Sequence, residues 1–460
     1  MNSIPFSTLV LRPELLASIA SLSYTSMTPV QAQTLPLALD NRDVIAQAKT
    51  GSGKTAAFAI ALLNKLDPQL YRTQTLVLCP TRELAEQVAG EIRSLASNIP
   101  NVKLLTLCGG KPMGPQLASL QREPHIVVGT PGRILAHLQK NTLRLDGVQT
   151  LVLDEADRML DMGFQDDILQ IIAATPASRQ TLLFSATYPE GIQAISNKVQ
   201  RDPVDVRVES ELDTPDIEQV FYRVEKGTRA DTLFKVIAHY RPESTLVFCN
   251  TRQQCDELTS VLRGHDLHAR ALHGDMEQYE RDQVLTQFAG RSSSILIATD
   301  VAARGLDVKD LAAVINFELS RDPEVHIHRI GRTARAGARG LAVSLFSDAD
   351  LKYLQAIEEY QGATANIVST DSLKVPPNLK LYPPMVTLMI HGGRKEKIRP
   401  GDLLGALTAS GEISGAQIGK ITLFDKVSYV AVEQKIAKLA LNNLTDGRIK
   451  GRKFRIQLLR

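Results

Sequence analysis

Residues 48–55 read Ala48-Lys49-Thr50-Gly51-Ser52-Gly53-Lys54-Thr55, between a short apolar run (Val44 to Ala46) and a helix-forming run (Ala56 to Leu66). Strand, glycine-rich turn and helix in that order make a phosphate cradle. Two glycines let the backbone curl with its N–H groups inward, at the positive end of the helix that follows. Lys54 then reaches the outer phosphates of a nucleotide, and the Thr55 hydroxyl is a ligand for Mg²⁺. The usual pattern has glycine where Ala48 stands, and a curl made at Gly51 and Gly53 tolerates that change. A turn that bound nothing would have no need of Lys-Thr at its end, so the stretch predicts a nucleotide site.

Working outward from it, four apolar runs each end in polar residues. They are Thr75 to Cys79 before Pro80-Thr81-Arg82, Ile126 to Val128 before Gly129-Thr130-Pro131-Gly132-Arg133, Leu151 to Leu153 before Asp154-Glu155, and Leu182 to Phe184 before Ser185-Ala186-Thr187. Near-continuous apolar strands alternating with helical stretches indicate a parallel sheet buried on both faces. In such α/β sheets ligands gather at the carboxyl ends of strands, where these clusters fall. The pattern then recurs. Thr245 to Arg252 repeats Thr75 to Arg82 at six of eight positions, and buried strands follow at Ile295 to Ala298, Ala313 to Asn316 and Leu341 to Phe346. The second half lacks a phosphate loop. Two related α/β domains joined around Glu209 to Pro215, sharing one nucleotide site between them, are expected.

The 460 residues carry 53 Lys and Arg against 50 Asp and Glu, a net charge of +3. From Met385 onward the count is 14 basic and 6 acidic, a net +8, leaving 39 against 44 before it. A basic tail on an acidic body suits a separate module for a polyanion. Cys79, Cys108, Cys249 and Cys255 show no metal-binding spacing, and buried thiols in a reducing compartment are expected. No apolar run reaches the roughly 18 residues of a membrane span and no leader pattern opens the chain, which predicts a soluble, intracellular protein without membrane contact.

The chemistry falls in three further places. Asp154-Glu155-Ala156-Asp157 follows a buried strand, where Asp154 can hold a metal, through water, and Glu155 can polarise the attacking water. In His328 to Arg335, helical spacing would put Arg332 and Arg335 on one face, able to reach a γ-phosphate if the two domains close. An arginine supplied in this way is worth roughly 10³–10⁵ in rate. Near the N-terminus, Thr28-Pro29 reads as a helix start, and the Gln31 amide can read the edge of a base.

With these motifs in order, together with Ala298-Thr299-Asp300 and Arg304-Gly305-Leu306-Asp307, residues 6 to 360 resemble the DEAD-box RNA helicases. The resemblance implies two RecA-like domains using ATP and Mg²⁺. It assigns adenine contact to Phe6 and Gln31, ribose contact to Asp307, and coupling of hydrolysis to strand separation to Ser185 and Thr187. RNA-backbone contacts would fall at Pro80, Thr81, Arg82, Gly109, Gly110, Thr130, Pro131, Gly132, Arg133, Thr251, Arg252, His273, Gly274, Asp275, Gln278, Arg281, Thr299 and Asp300.

After a linker rich in proline, the tail reads as strand (Val386 to His391), helix (Pro400 to Leu407), strands (Ile418 to Leu423, Val427 to Val432), helix (Gln434 to Leu444) and strand (Phe454 to Leu458). That βαββαβ order is the plan of an RNA-recognition motif. The expected stacking aromatics are missing apart from Tyr429, so basic clusters are the candidate contacts. These are Arg394, Lys395, Lys397 and Arg399 in one loop, and Lys450, Arg452, Lys453 and Arg455 near the last strand. The expected domains are 1–208, 216–367 and 385–460, with 368–384 as linker. A DEAD-box core with this tail resembles the bacterial DbpA family. That resemblance implies anchoring on a hairpin of 23S ribosomal RNA during assembly of pre-50S particles, in the cytoplasm, by a monomer or weak dimer. An ATP-gated RNA clamp that separates no strands uses the same residues and stays open as an alternative at this level.

Overall fold

The computed structural model describes residues 4–48, 51–188, 190–208, 217–225, 227–303, 311–334, 339–377 and 379–459. The chain divides into two compact units. The predicted junction from Glu209 to Pro215 lies outside the described residues.

The first unit holds seven strands: β1 (Val44–Gln47), β2 (Thr75–Leu78), β3 (Leu104–Leu107), β4 (Ile126–Gly129), β5 (Thr150–Asp154), β6 (Gln180–Ser185) and β7 (Val204–Arg207). They pair in parallel, in the order β3-β4-β2-β5-β6-β1-β7. Successive residues supply opposite cores, which is why the inner strands read as continuous apolar runs. Val44 and Ala46 join Phe58, Leu62 and Val88 on one face, while Ile45 joins Leu76, Leu151 and Ile171 on the other. Each such side chain contributes about 1.5–3 kcal/mol by its burial.

The second unit repeats the plan with β8 (Ile217–Arg223), β9 (Thr245–Cys249), β10 (Ala269–Leu272), β11 (Ile295–Thr299), β12 (Ala313–Asn316), β13 (Gly340–Phe346) and β14 (Ile367–Val368). Their order is β10-β11-β9-β12-β13-β8-β14, again parallel. The same unit carries a four-stranded antiparallel sheet, β15 (Met385–Ile390), β16 (Ile418–Leu423), β17 (Ser428–Glu433) and β18 (Ile456–Leu459), ordered β16-β17-β15-β18. One face of this sheet packs on the helices Pro400–Thr408 and Ala437–Asp446, in a core of Leu388, Ile390, Leu403, Leu407, Val430, Val432, Ala440 and Leu444. Two RecA-like sheets and an RRM-like α+β tail are thus present as expected.

The other face of the tail sheet is covered too. Thr387 is buried and its Oγ1 lies 2.6 Å from Ser292 Oγ, and Met385 N–H donates to Arg291 O at 3.3 Å. Gly290, which ends the helix Gln278–Ala289, packs so closely that a Cβ there would stand 3.2 Å from Ala431 Cβ. The four cysteines are free and buried. Among the described residues no helix is long and apolar enough to cross a membrane.

One local expectation fails. The helix Pro323–Ile330 stops before Arg332, and Ala334 sits in the left-handed region at φ 52°. Thr333 instead bridges to Leu311, so Arg332 does not lie on that helix. A backbone hydrogen bond drawn sideways toward Leu311 ends the helical ladder there. Arg335 itself lies outside the described residues.

Candidate active site and nucleic-acid interface

The phosphate loop leaves β1 with Ala48, whose N–H donates to Ser185 O at 3.1 Å, tying the loop to the end of β6. Gly51 and Gly53 have φ of 85° and 93°, the left-handed values that a side chain resists. At Gly53 a Cβ would also stand 2.6 Å from Gln31 Nε2. Gln31 explains the closeness. Its Oε1 accepts from Thr28 N–H at 2.9 Å, completing a capping box on the helix Pro29–Leu39, and its Nε2 donates to Gly53 O at 3.1 Å. In this structure the glutamine predicted to read a base braces the loop. Phe6 is buried and stacks 6.5 Å from Tyr24. Lys49, Thr50 and Asp307 lie outside the described residues.

Lys54 opens the helix Lys54–Lys65, and its Nζ donates to Ala48 O at 2.5 Å. Burial pushes the ammonium pKa down, while Asp154, Glu155 and Asp157 pull it back up. Asp154 ends β5 and is buried, and its carboxyl is pushed up to about 7 by desolvation and by Glu155, against the pull of Lys54. Ser52 Oγ and Ser185 Oγ, beside the loop, are buried without hydrogen-bond partners. A buried lysine, a carboxylate reluctant to ionise and two orphaned hydroxyls fit a polyphosphate with a divalent cation, since the anion would satisfy the first and the hydroxyls and the cation the carboxylate. Thr55, half-buried, and Asp154 are the residues that could hold the cation. Among the described residues no cluster of three or more His, Cys, Asp or Glu forms a metal site on its own.

Asp157 does structural work that the sequence reading did not assign to it. Its Oδ2 accepts from Ala186 N–H (3.2 Å), Thr187 N–H (3.0 Å) and Thr187 Oγ1 (3.0 Å), and its Oδ1 accepts from Arg158 N–H (3.0 Å). Burial raises its pKa, but the hydrogen bonds from Thr187 and the charge of Arg158 more than offset this, leaving it below the ordinary value. The acidic tetrad and Ser185-Ala186-Thr187 are thereby strapped together.

Strand order sorts the clusters. The loop after β1, Asp154 and Glu155 after β5, and Ser185 after β6 stand on adjacent strands. The residues assigned to RNA occupy the other half of the same edge, after β2, β4 and β3. Thr81 and Thr130 are the N-caps of helices Arg82–Leu95 and Pro131–Gln139, so Pro80 to Arg82 and Thr130 to Arg133 present two helix N-termini side by side. The Arg82 guanidinium covers Gly109 and Gly110, the latter at φ 73°. Arg133 donates to Lys111 O at 3.0 Å and to Gln116 Oε1 at 2.7 Å, fixing that neighbouring loop.

In the second unit β10, β11 and β9 are consecutive, which brings His273 to Asp275, Thr299-Asp300 and Thr251-Arg252 to one half of that sheet's edge. Arg252 is ion-paired with Asp275, His273 Nε2 lies 3.1 Å from Asp256, and Gln278 donates to Asp282 at 2.9 Å. Gly274 has open space around its Cα, and Arg281 lies one turn into the helix that Gln278 begins. Asp300 differs from the simple expectation. Both its oxygens are held at 2.7 Å by Arg329, which also donates to Asn316 Oδ1 and Glu318 O and lies over Phe248. Arg329 sits inside the His328 to Arg335 run, yet only packing distinguishes it as a hub. Arg332 is buried.

In the tail, Tyr429 is buried against Phe424, its phenol pKa pushed up to about 12 by burial and by Asp282. Among the described residues the sheet face therefore offers no aromatic platform. The two basic clusters are instead brought together, since Lys450 Nζ donates to Lys397 O at 3.0 Å across 53 residues. Arg394, Lys395, Lys397, Arg399, Lys450, Arg452, Lys453 and Arg455 are all exposed.

Comparison with known proteins agrees with this geometry. Residues 28–195 match the DEAD/DEAH box helicase family, 228–337 the helicase conserved C-terminal domain, and 387–458 the DbpA RNA binding domain. The chain is 53% identical to the ATP-dependent RNA helicase DbpA of Escherichia coli (strain K12) over 99% of each sequence. It is 42% identical to the DEAD-box ATP-dependent RNA helicase CshA of Bacillus subtilis (strain 168), over 78% of this chain and 72% of that one. The structure of S. cerevisiae Dbp5 bound to RNA and ADP BeF3 superposes with a TM-score of 0.73 at 30% identity, covering 80% of this chain and 96% of that one. With both helicase domains and the RNA-binding tail present in one sequence, the chain belongs to the DbpA family of DEAD-box ATP-dependent RNA helicases.

Proposed function

We propose that this RNA-stimulated ATPase opens short duplexes locally in 23S ribosomal RNA during large-subunit assembly in the cytoplasm, anchored on a structured hairpin by its tail. The observation that carries the anchoring is the joined basic surface around Lys397 and Lys450, next to a sheet face that has no free platform. Contacts from such a surface reach phosphates and grooves of a folded RNA. They make affinity salt-dependent, with a log–log slope of about −0.7 to −0.9 per phosphate neutralised. Shape or a few base contacts then supply the preference, because phosphates carry no sequence information.

In the core, Gly51, Ser52, Gly53 and Lys54 are assigned to the triphosphate, and Phe6 and Gln31 to the adenine. Thr55 and Asp154 would hold Mg²⁺, which when bound neutralises phosphate charge. Glu155 takes a proton from the attacking water, and Arg332 and Arg335 of the second unit act on the γ-phosphate. Asp157 links that chemistry to Ser185 and Thr187. Opening a stacked step costs about 1.4 kcal/mol in duplex DNA, so five steps cost roughly 7 kcal/mol. Taking RNA as similar, one ATP-driven cycle suits a short duplex and not a long one.

The test is crosslinking in cells followed by sequencing of the bound RNA, with titration of the full-length protein against the recovered hairpin and a scrambled copy at two salt concentrations. Reads concentrated on one large-subunit hairpin, bound more tightly than its scrambled copy, are expected. Reads spread over many RNAs and equal affinity for both would reduce the tail to a generic electrostatic tether.

A further inference from the structure

Glu155 enters the helix Ala156–Asp161 from the left-handed region, at φ 52° and ψ 52°, and is 6% exposed. Its Oε2 accepts a hydrogen bond from Arg158 Nη1 at 2.8 Å, and Arg158 is 5% exposed. A fully buried arginine is tolerated only when its charge is paired, and a buried carboxylate likewise. The two residues form that pair within one short element, at i and i+3. Asp157 Oδ1 holds the Arg158 backbone N–H, so the arginine is fixed at its base as well as at its tip.

A glutamate side chain has three torsions, and a base works only if its accepting oxygen is held near the proton it takes. Lys54, whose charge state responds to Glu155, is the competing cation in the same buried space. With no partner of its own, the Glu155 carboxylate would swing toward that lysine. Arg158 ties one oxygen and leaves the other, Oε1, without a hydrogen bond among the described residues. This is the pattern in which a base is itself oriented by a third group.

We propose that Arg158 is a positioning residue for ATP hydrolysis, holding Oε2 of Glu155 so that Oε1 is the atom that receives the proton. The inference rests on the assignment of Glu155 as the base. In the step concerned, a water O–H proton passes to Oε1 as the water oxygen bonds to the γ-phosphorus. The bond from that phosphorus to the β–γ bridging oxygen breaks, giving ADP and inorganic phosphate, and Glu155 later returns its proton to solvent. Arg158 donates no proton and touches no reacting atom.

The test uses the full-length protein, with RNA-stimulated turnover measured against both ATP and RNA concentration. Arg158→Met keeps volume and aliphatic stem but removes the charge, and Arg158→Lys keeps a charge with a single point of contact. The methionine variant should lose at least about tenfold in kcat, within the range that misplacing a catalytic group produces, with KM for ATP and half-saturating RNA within about twofold of the parent. The lysine variant should recover most of that loss. Combined with Glu155→Gln, Arg158→Met should cost nothing further, because the group it positions is already disabled. Parental kcat in Arg158→Met overturns the proposal. So does an equal loss in both variants accompanied by a rise in KM, which would mark damage to the nucleotide pocket. If Glu155→Gln alone turns over near the parental rate, the base assignment fails first, and this is read independently of Arg158.

Discussion

Asp157→Asn tests whether the strap between the acidic tetrad and Ser185-Ala186-Thr187 couples hydrolysis to strand separation. In the parent, one carboxylate oxygen receives three donors from Ala186 and Thr187 and the other receives Arg158 N–H. Asparagine has a single acceptor oxygen. If it keeps that oxygen toward Thr187, its NH₂ meets the Arg158 N–H donor to donor, and one bond is lost outright. The remaining three fall from charge-assisted to neutral strength. A neutral bond contributes about 1 kcal/mol and a charged one about 1.5–3 kcal/mol, so each of the three bonds to Ala186 and Thr187 loses about 0.5–2 kcal/mol, roughly 1.5–6 kcal/mol together. Hydrogen exchange at the Ala186 and Thr187 amides reads this directly. At 1.4 kcal/mol per factor of ten, their protection should fall by at least about tenfold while that of the β5 amides stays constant. In parallel, RNA-stimulated ATP turnover should fall far less than duplex displacement per ATP consumed. Unchanged exchange at Thr187 would show that these bonds do not hold the segment. Equal loss of turnover and displacement would show that the strap serves hydrolysis alone.

Two further outcomes follow from single residues. Gly110→Ala puts a Cβ into the Arg82 guanidinium at a positive φ, so half-saturating RNA should rise about tenfold, a loss of about 1.4 kcal/mol, with ATP affinity in the absence of RNA unchanged. RNA titrations of the ATPase at fixed ATP check it, and parental half-saturation would refute it. His326 is fully buried between Gln219, Phe221 and Arg329, and burial followed by the arginine lowers its pKa from 6.5 to about 4. Between those values the unfolded chain binds a proton that the folded one refuses, so stability rises with pH across the window and falls by up to about 3 kcal/mol on acidification. Denaturant midpoints of the second unit's transition at pH 7 and pH 4.5 should converge in His326→Gln, and parallel shifts in variant and parent would place the acid sensitivity elsewhere.

Much of the site is legible in the residues because it is local. A phosphate loop is a contiguous stretch whose glycines are dictated by left-handed φ at Gly51 and Gly53, and a strand buried on both faces announces itself by its apolar run. Strands β3, β7, β8, β10 and β14 were not legible as runs. They are short or lie near sheet edges, where half-exposure breaks the pattern, as in β3 with three of its four residues only partly buried. The helical face assigned to Arg332 was wrong for a similar reason, since the Thr333 bridge to Leu311 is a contact from distant sequence that overrides local helix spacing.

The sequence by itself determined the nucleotide chemistry, the α/β alternation and the basic tail, because each depends on residue type at short spacing. Tertiary structure decided adjacency. The chain meets β1, β2, β3, β4, β5 and β6 in turn, but the sheet sets β1, β6 and β5 together and β2, β4 and β3 together, dividing one edge into a nucleotide half and a half assigned to RNA. Strand order follows from how crossover helices pack on a buried sheet, and no short stretch encodes it. The same holds for side chains that only meet on folding: Asp157 on Thr187, Arg329 on Asp300, Lys450 on Lys397. Arg158 is the intermediate case. Its spacing from Glu155 is visible in the sequence, but a surface i, i+3 pair is worth little, and only burial of both charges gives the contact its consequence.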